Sequence, residues 1–157
     1  MTSTHYLLGL LRLVFGWIFL WAFMDKLWGF GLGTSATKSW LAGGSPTKGF
    51  LSGSASQIFA ALAGNTVIDW LFMSVLLLIG LALMLGIGLR IASIAGTALV
   101  LLMWLASLPL KQNPFVDQHI IFAFIFLLLP RLQAGRIFGL ATWWRLQPFV
   151  QRFPWLQ

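Results

Sequence analysis

The sequence predicts an all-α membrane protein, a four-transmembrane-helix bundle with a long outer loop between helices 1 and 2 and an amphipathic C-terminal tail. Three observations predict it. Hydrophobic residues make up 59% of the 157 positions and charged residues only 8%, at a mean hydropathy of +0.90. A soluble domain carries about 25% charged residues, so this chain lacks the charge to cover a water-facing surface. Apolar runs recur at the length of a bilayer span, about 20 residues. Polar residues are confined to short connections, one Gly/Ser/Thr-rich stretch and the tail.

Taken in order, the first run is Tyr6 to Met24, interrupted only by Arg12. It predicts a helix over about 6–26, too long and too poor in N-terminal positive charge for a cleaved signal peptide. Residues 29–65 follow, rich in Gly, Ser and Thr, with a short helix expected near 57–63. A loop of that length is uncommon without a role in function. The second and third helices are expected over 67–88 and 91–109. Only Arg90 separates their apolar runs, and Gly86 and Gly88 supply a tight hairpin turn. Asn113 suits an N-cap and Pro114 the first helical position, which predicts a fourth helix over 114–133, kinked rather than ended by Pro130. Residues 1–134 thus form the transmembrane domain. In 135–157, Ile137, Leu140, Ala141 and Trp144 recur at helical spacing among three arginines, predicting an amphipathic helix in the headgroup layer.

Four spans place the N-terminus, the turn at 90 and the tail on one side. Arg90, Arg131, Arg136, Arg145 and Arg152 then oppose Lys26, Lys38, Lys48 and Lys111, and Arg12 joins the first group if it snorkels. The bias predicts cytoplasmic termini and an outer loop outside. Asp25, Asp69 and Asp117 are the chain's only acids, and all fall at the outer ends, with Lys26, Asn113 and His119.

The candidate ligand-binding residues are therefore Arg12, Asp25, Lys26, Asn113, Asp117 and His119. Asp25 and His119 are the candidates for proton chemistry. Ionisable groups at membrane depth are costly without partners, so Asp25 is expected to pair with Lys26, Lys48 or His119, or else to anchor a helix end. Imidazole titrates near neutral pH, which suits a proton carrier or a donor to a bound carbonyl. Asp117 and His119 stand about 200° apart on a regular helix and are not expected to face one ligand. Arg12 either snorkels to headgroups or captures an anionic or carbonyl group inside the bundle. With no cysteine, thiolate chemistry, Cys-ligated zinc and iron–sulfur clusters are excluded. His5 and His119 fall at opposite ends, which excludes a shared haem or metal. The net charge of +7 points to anionic lipid headgroups and not to nucleic acid.

The stretches LRLVFGWIFLWAFMDKLWGFG (11–31), GGSPTKGFL (43–51), DWLFM (69–73), GIGLRIASIAGT (86–97) and NPFVDQHIIFAF (113–124) resemble the DoxX family of small bacterial membrane proteins. The likeness is to the branch related to DoxD, the membrane subunit of thiosulfate:quinone oxidoreductase. Residues that match the family's recurrent polar motifs are Arg12, Asp25, Lys26, Arg90, Asn113, Asp117 and His119. The resemblance implies a four-helix bundle in the bacterial inner membrane, a quinone as the cofactor, and a soluble or membrane partner subunit. The chain has no cysteine or cofactor motif, so it is not expected to be catalytic alone. A non-catalytic scaffold that recruits a soluble enzyme is the alternative.

Overall fold

In the computed structural model, which describes residues 3–52, 57–110, 113 and 115–156, all regular structure is helical. The helices are α1 (Ser3–Trp28), α2 (Lys48–Leu51), α3 (Gln57–Leu62), α4 (Thr66–Leu85), α5 (Leu89–Ala106), α6 (Gln118–Arg131), α7 (Ala141–Arg145) and α8 (Pro148–Arg152). Three of them, α1, α4 and α5, are long and apolar enough to cross a membrane. The fourth expected span, α6, is apolar but has 14 residues. At 1.5 Å per residue it reaches about 21 Å, short of a hydrocarbon core of about 30 Å.

The bundle closes through aromatic and glycine contacts. Phe15 and Phe19 of α1 meet Phe122 and Phe126 of α6, with Phe15–Phe126 centroids 4.8 Å apart. Gly80 of α4 lies so close to α1 that a Cβ there would stand 2.8 Å from the Leu20 nitrogen. Gly96 of α5 faces the ring of Phe126 in the same way. Small residues at such crossings let backbones approach, the packing device of helices in lipid. Large apolar side chains cover the outside: Leu7, Val14, Leu78, Ile94 and Phe124 are all exposed.

The α4–α5 hairpin turns as expected. Gly86 takes φ +73° and Gly88 φ +58°, values that favour glycine, and the Gly86 and Ile87 N–H groups close on the Ala82 carbonyl. Asn65 caps α4, its side chain accepting from the Val67 and Ile68 N–H groups at 2.9 and 3.3 Å.

Two expectations need correction. The fourth helix does not start at Asn113. Its N-cap is Asp117, whose Oδ1 accepts from the His119 N–H at 2.9 Å. Asn113 instead closes a turn, accepting from the Phe115 and Val116 N–H groups. Pro114 lies outside the described residues, as does Lys111. Pro130 sits inside α6 one residue before its end, and the helix stops at Arg131 instead of running on to 133. The tail, secondly, is not one amphipathic helix. Gln133 and Phe138 both take φ +52°, and the chain breaks into 3-10 turns at 134–136 and 154–156 around α7 and α8. Ala134, Ile137, Ala141 and Val150 are buried, so the tail packs onto the bundle.

Candidate functional site

The antiparallel order gives the bundle a loop end, carrying residues 29–65, and a tail end. Asp25, Asp69 and Asp117 all stand at the loop end, while Arg90, Arg131, Arg136, Arg145 and Arg152 stand at the tail end.

Arg12 belongs to neither surface. It is fully buried. Nε donates to the Ala134 carbonyl at 3.2 Å, and Nη1 donates to those of Leu83 and of Met84, the latter at 2.9 Å. Nη2 donates to the Ile137 and Phe138 carbonyls at 3.1 and 2.8 Å. A guanidinium has five N–H donors, and here five backbone carbonyls use them. Arg12 therefore does not snorkel, and it has no donor left for a ligand. The carbonyl group that it captures is the protein's own: it closes the C-terminal end of α4, where carbonyls lack helical partners and a cation is favoured. Its place among the ligand-binding candidates is withdrawn.

The long loop is tied down at two points. The Trp40 and Leu41 N–H groups bond to the Lys26 and Leu27 carbonyls at the end of α1. Asp69, in the first turn of α4, accepts from Ser45 Oγ at 2.9 Å, Thr47 N at 3.2 Å and Thr47 Oγ1 at 2.5 Å. Trp40 packs edge-on against Trp70 at 4.6 Å, and Trp21 stacks on Phe30 at 5.5 Å. Trp21, Trp40 and Trp70 thus hold the loop against the helix ends.

Beneath this loop Asp25 is buried, and its Oδ1 has no hydrogen-bond partner among the described residues. Oδ2 lies against Gly33, where a Cβ would come within 2.9 Å. The acid occupies the last turn of α1, where the helix dipole disfavours an anion. Salt bridges to Lys26, Lys48 and His119 do not form: among the described residues the one ion pair joins Asp117 and His119.

The expectation that a regular helix holds these two about 200° apart is corrected. Asp117 is the cap, in extended conformation at φ −132° and ψ −171°, so the helical 200° does not apply. Its Oδ2 stands 2.6 Å from His119 Nδ1. One carboxylate therefore binds both the backbone and the ring of His119. With Nδ1 turned to the carboxylate, the imidazole has Nε2 as its second polar atom, and the ring is partly exposed.

A third group was not recognised in the sequence as one cluster. Lys26, Lys38 and Lys48 line one open cavity of about 1090 Å3 with Gly33, Thr34 and Ser45. The lysines stand far apart in the chain; Lys26 was a ligand-binding candidate and Lys48 a candidate partner of Asp25, while Lys38 had served only to orient the chain. The loop end therefore carries a basic cup, a buried carboxylate with an unpartnered oxygen, and a carboxylate-oriented imidazole.

Compared with family models, with curated proteins and with solved structures, the chain matches none.

Proposed function

We propose that this chain is a DoxX-like, multi-pass integral membrane subunit of a quinone-linked oxidoreductase complex, related to the DoxD branch. In this reading all four apolar helices lie in the bacterial inner membrane, with both termini cytoplasmic and the loop end outside. The observation that supports it best is the His119–Asp117 pair at 2.6 Å. A carboxylate that fixes the imidazole tautomer prepares the other ring nitrogen to donate to a carbonyl oxygen and to exchange its proton.

His119 would hold a quinone headgroup, and the unpartnered oxygen of Asp25 offers an acceptor at the same end of the bundle. The quinone, when bound, supplies two-electron acceptance. Asp117 orients the imidazole and offsets its charge when it carries a proton. The loop, pinned by Asp69 and by the Lys26 and Leu27 carbonyls, limits water access to the end of α1. The Lys26, Lys38 and Lys48 cup draws a small anionic reductant, thiosulfate or a similar ion, or the partner that carries it.

A second reading, a non-catalytic scaffold for a soluble enzyme, is favoured by the fact that Arg12 and Asp69 bond only within the protein. Titration of a ubiquinone or menaquinone analogue into the protein in nanodiscs, followed by tryptophan quenching, separates the two. Saturable quenching in wild type, lost in His119→Ala and weakened roughly tenfold in Asp117→Asn by loss of one charge-assisted bond, is the expected result. No saturable binding by a folded protein gives the scaffold reading, and partner capture with the loop end then becomes the measurement.

A further inference from the structure

A cavity of about 450 Å3 opens at the tail end, between the α4–α5 hairpin, the end of α6 and α7. Arg90, Arg131 and Arg145 line it. No acid stands at this end: the chain's three are all at the other. Arg90 gives one N–H to the Pro154 carbonyl at 3.2 Å, and Arg131 gives one to Leu127 at 2.7 Å. Most of their donors stay open, and Arg145 donates no side-chain hydrogen bond to any described residue. Burial, with the charges of Arg136 and Arg90, pulls Arg145 below the usual guanidinium range. The cluster is therefore an uncompensated positive field around a hollow.

Ser93 points independently to a ligand. It is 6% exposed, lines the same cavity, and its hydroxyl has no hydrogen-bond partner among the described residues. With the residue otherwise enclosed, that hydroxyl is left to donate into the hollow. The first turn of α5 forms part of the same wall through Leu89 and Arg90. Its N-cap, Gly88, has no side chain to satisfy the first N–H groups. All these groups donate, and none of them is a carboxylate, so the complementary ligand is an anion with several acceptor oxygens.

The shape selects among anions. The wall runs on through Leu127 and Ile94, and Ile94 is 73% exposed on the apolar outside of the bundle. Trp144, a residue type of the bilayer interface, stands on the same rim. A cationic hollow that opens onto a lipid-facing apolar track fits a headgroup with its chains attached.

We propose that this cavity binds the phosphate of an anionic phospholipid, held by Arg90, Arg131, Arg145 and the Ser93 hydroxyl, with its acyl chains along Ile94 and Leu127. The site lies at the opposite end from the quinone reading and stands whether or not that reading holds.

Native mass spectrometry of the detergent-purified protein tests it, with phosphatidylglycerol and phosphatidylcholine as probes. Wild type is expected to retain one phosphatidylglycerol at least about tenfold more tightly than phosphatidylcholine. Arg131→Gln with Arg145→Gln removes that preference, and the matching pair of Lys substitutions restores part of it. Arg90 is exposed, so Arg90→Gln provides a second variant with an intact fold, expected to weaken retention in the same direction. Equal retention of both lipids by wild type, or an unchanged preference in the glutamine variants, overturns the proposal. Displacement of the lipid by excess inorganic phosphate overturns the lipid assignment and leaves a free-phosphate site. Persistence of the lipid under that excess supports it.

Discussion

Replacing Arg12 with Ala removes a side chain that joins α1, the end of α4 and the tail. Three of its five bonds, to Leu83, Ala134 and Ile137, are fully buried, and two, to Met84 and Phe138, are partly buried. The partly buried carbonyls regain water when the guanidinium goes. The three buried ones lose their donor at about 1–3 kcal/mol each, or roughly 3–9 kcal/mol. Relief of the cation's own burial returns several kcal/mol of that. The net loss is roughly 2–5 kcal/mol, which at about 2–4 °C per kcal/mol lowers Tm by roughly 4–20 °C. Arg12→Lys should fall between, because an ammonium has three donors and no planar fork. Thermal unfolding followed by tryptophan fluorescence gives the shift. Hydrogen exchange across 134–138 gives its location, since the tail should lose protection before α1 does. An Arg12→Ala protein with unchanged Tm and an equally protected tail would refute the reasoning.

Gly80→Ala places a Cβ 2.8 Å from the Leu20 backbone nitrogen. Overpacking of this kind costs about 1–3 kcal/mol, and a Tm equal to wild type would show that the helices separate freely. Asp69→Ala removes all three bonds that hold Ser45 and Thr47 to α4. Proteolysis within residues 43–52 should then accelerate several-fold while the spans stay intact; an unchanged cleavage rate counts against the clamp. Asp25→Asn replaces an unpartnered buried carboxylate in an unfavourable helix turn with a neutral isostere. Tm should rise or hold while quinone-analogue binding falls, the trade-off of a strained functional site. A fall in Tm with binding intact would make Asp25 structural.

The three long apolar helices and the α4–α5 hairpin were legible because lipid demands long apolar runs and the turn demands φ values that glycine supplies. The start of α6 was not. Asn113 and Asp117 are both good caps, and sequence gives no rule for choosing between them. In the structure, Asn113 makes the turn and Asp117 the cap. The error carried into the site: once Asp117 is placed outside the helix, the angular separation from His119 disappears. For Arg12 the sequence left snorkelling and capture of an anionic or carbonyl group side by side, and could not show that the captured carbonyls are the protein's own. A search for its partner among side chains finds no acid, whereas all its partners are carbonyls, and backbone acceptors carry no residue signature. The tail's helical spacing is real in Ile137, Leu140, Ala141 and Trp144. Positive φ at Gln133 and Phe138 bends that segment back onto α1 before a long helix can form.

The Arg12 centre and the loop end solve the problem of buried polarity in opposite ways, and the difference bears on function. Around Arg12 every donor is matched, so that centre is closed and has no capacity for a ligand. At the loop end the matching is incomplete: an oxygen of Asp25 has no partner, the second nitrogen of His119 is not fixed by Asp117, and three lysines share a cup without a carboxylate. A structural brace gains from satisfying such groups, as Asp69 does with Ser45 and Thr47. Groups left open beside one that is fully bonded, at the same end of the same bundle, are more simply read as places for something that comes and goes. On that ground the loop end is where we propose that a quinone and an anionic reductant bind, and Arg12 is the residue that ties the tail to the opposite end.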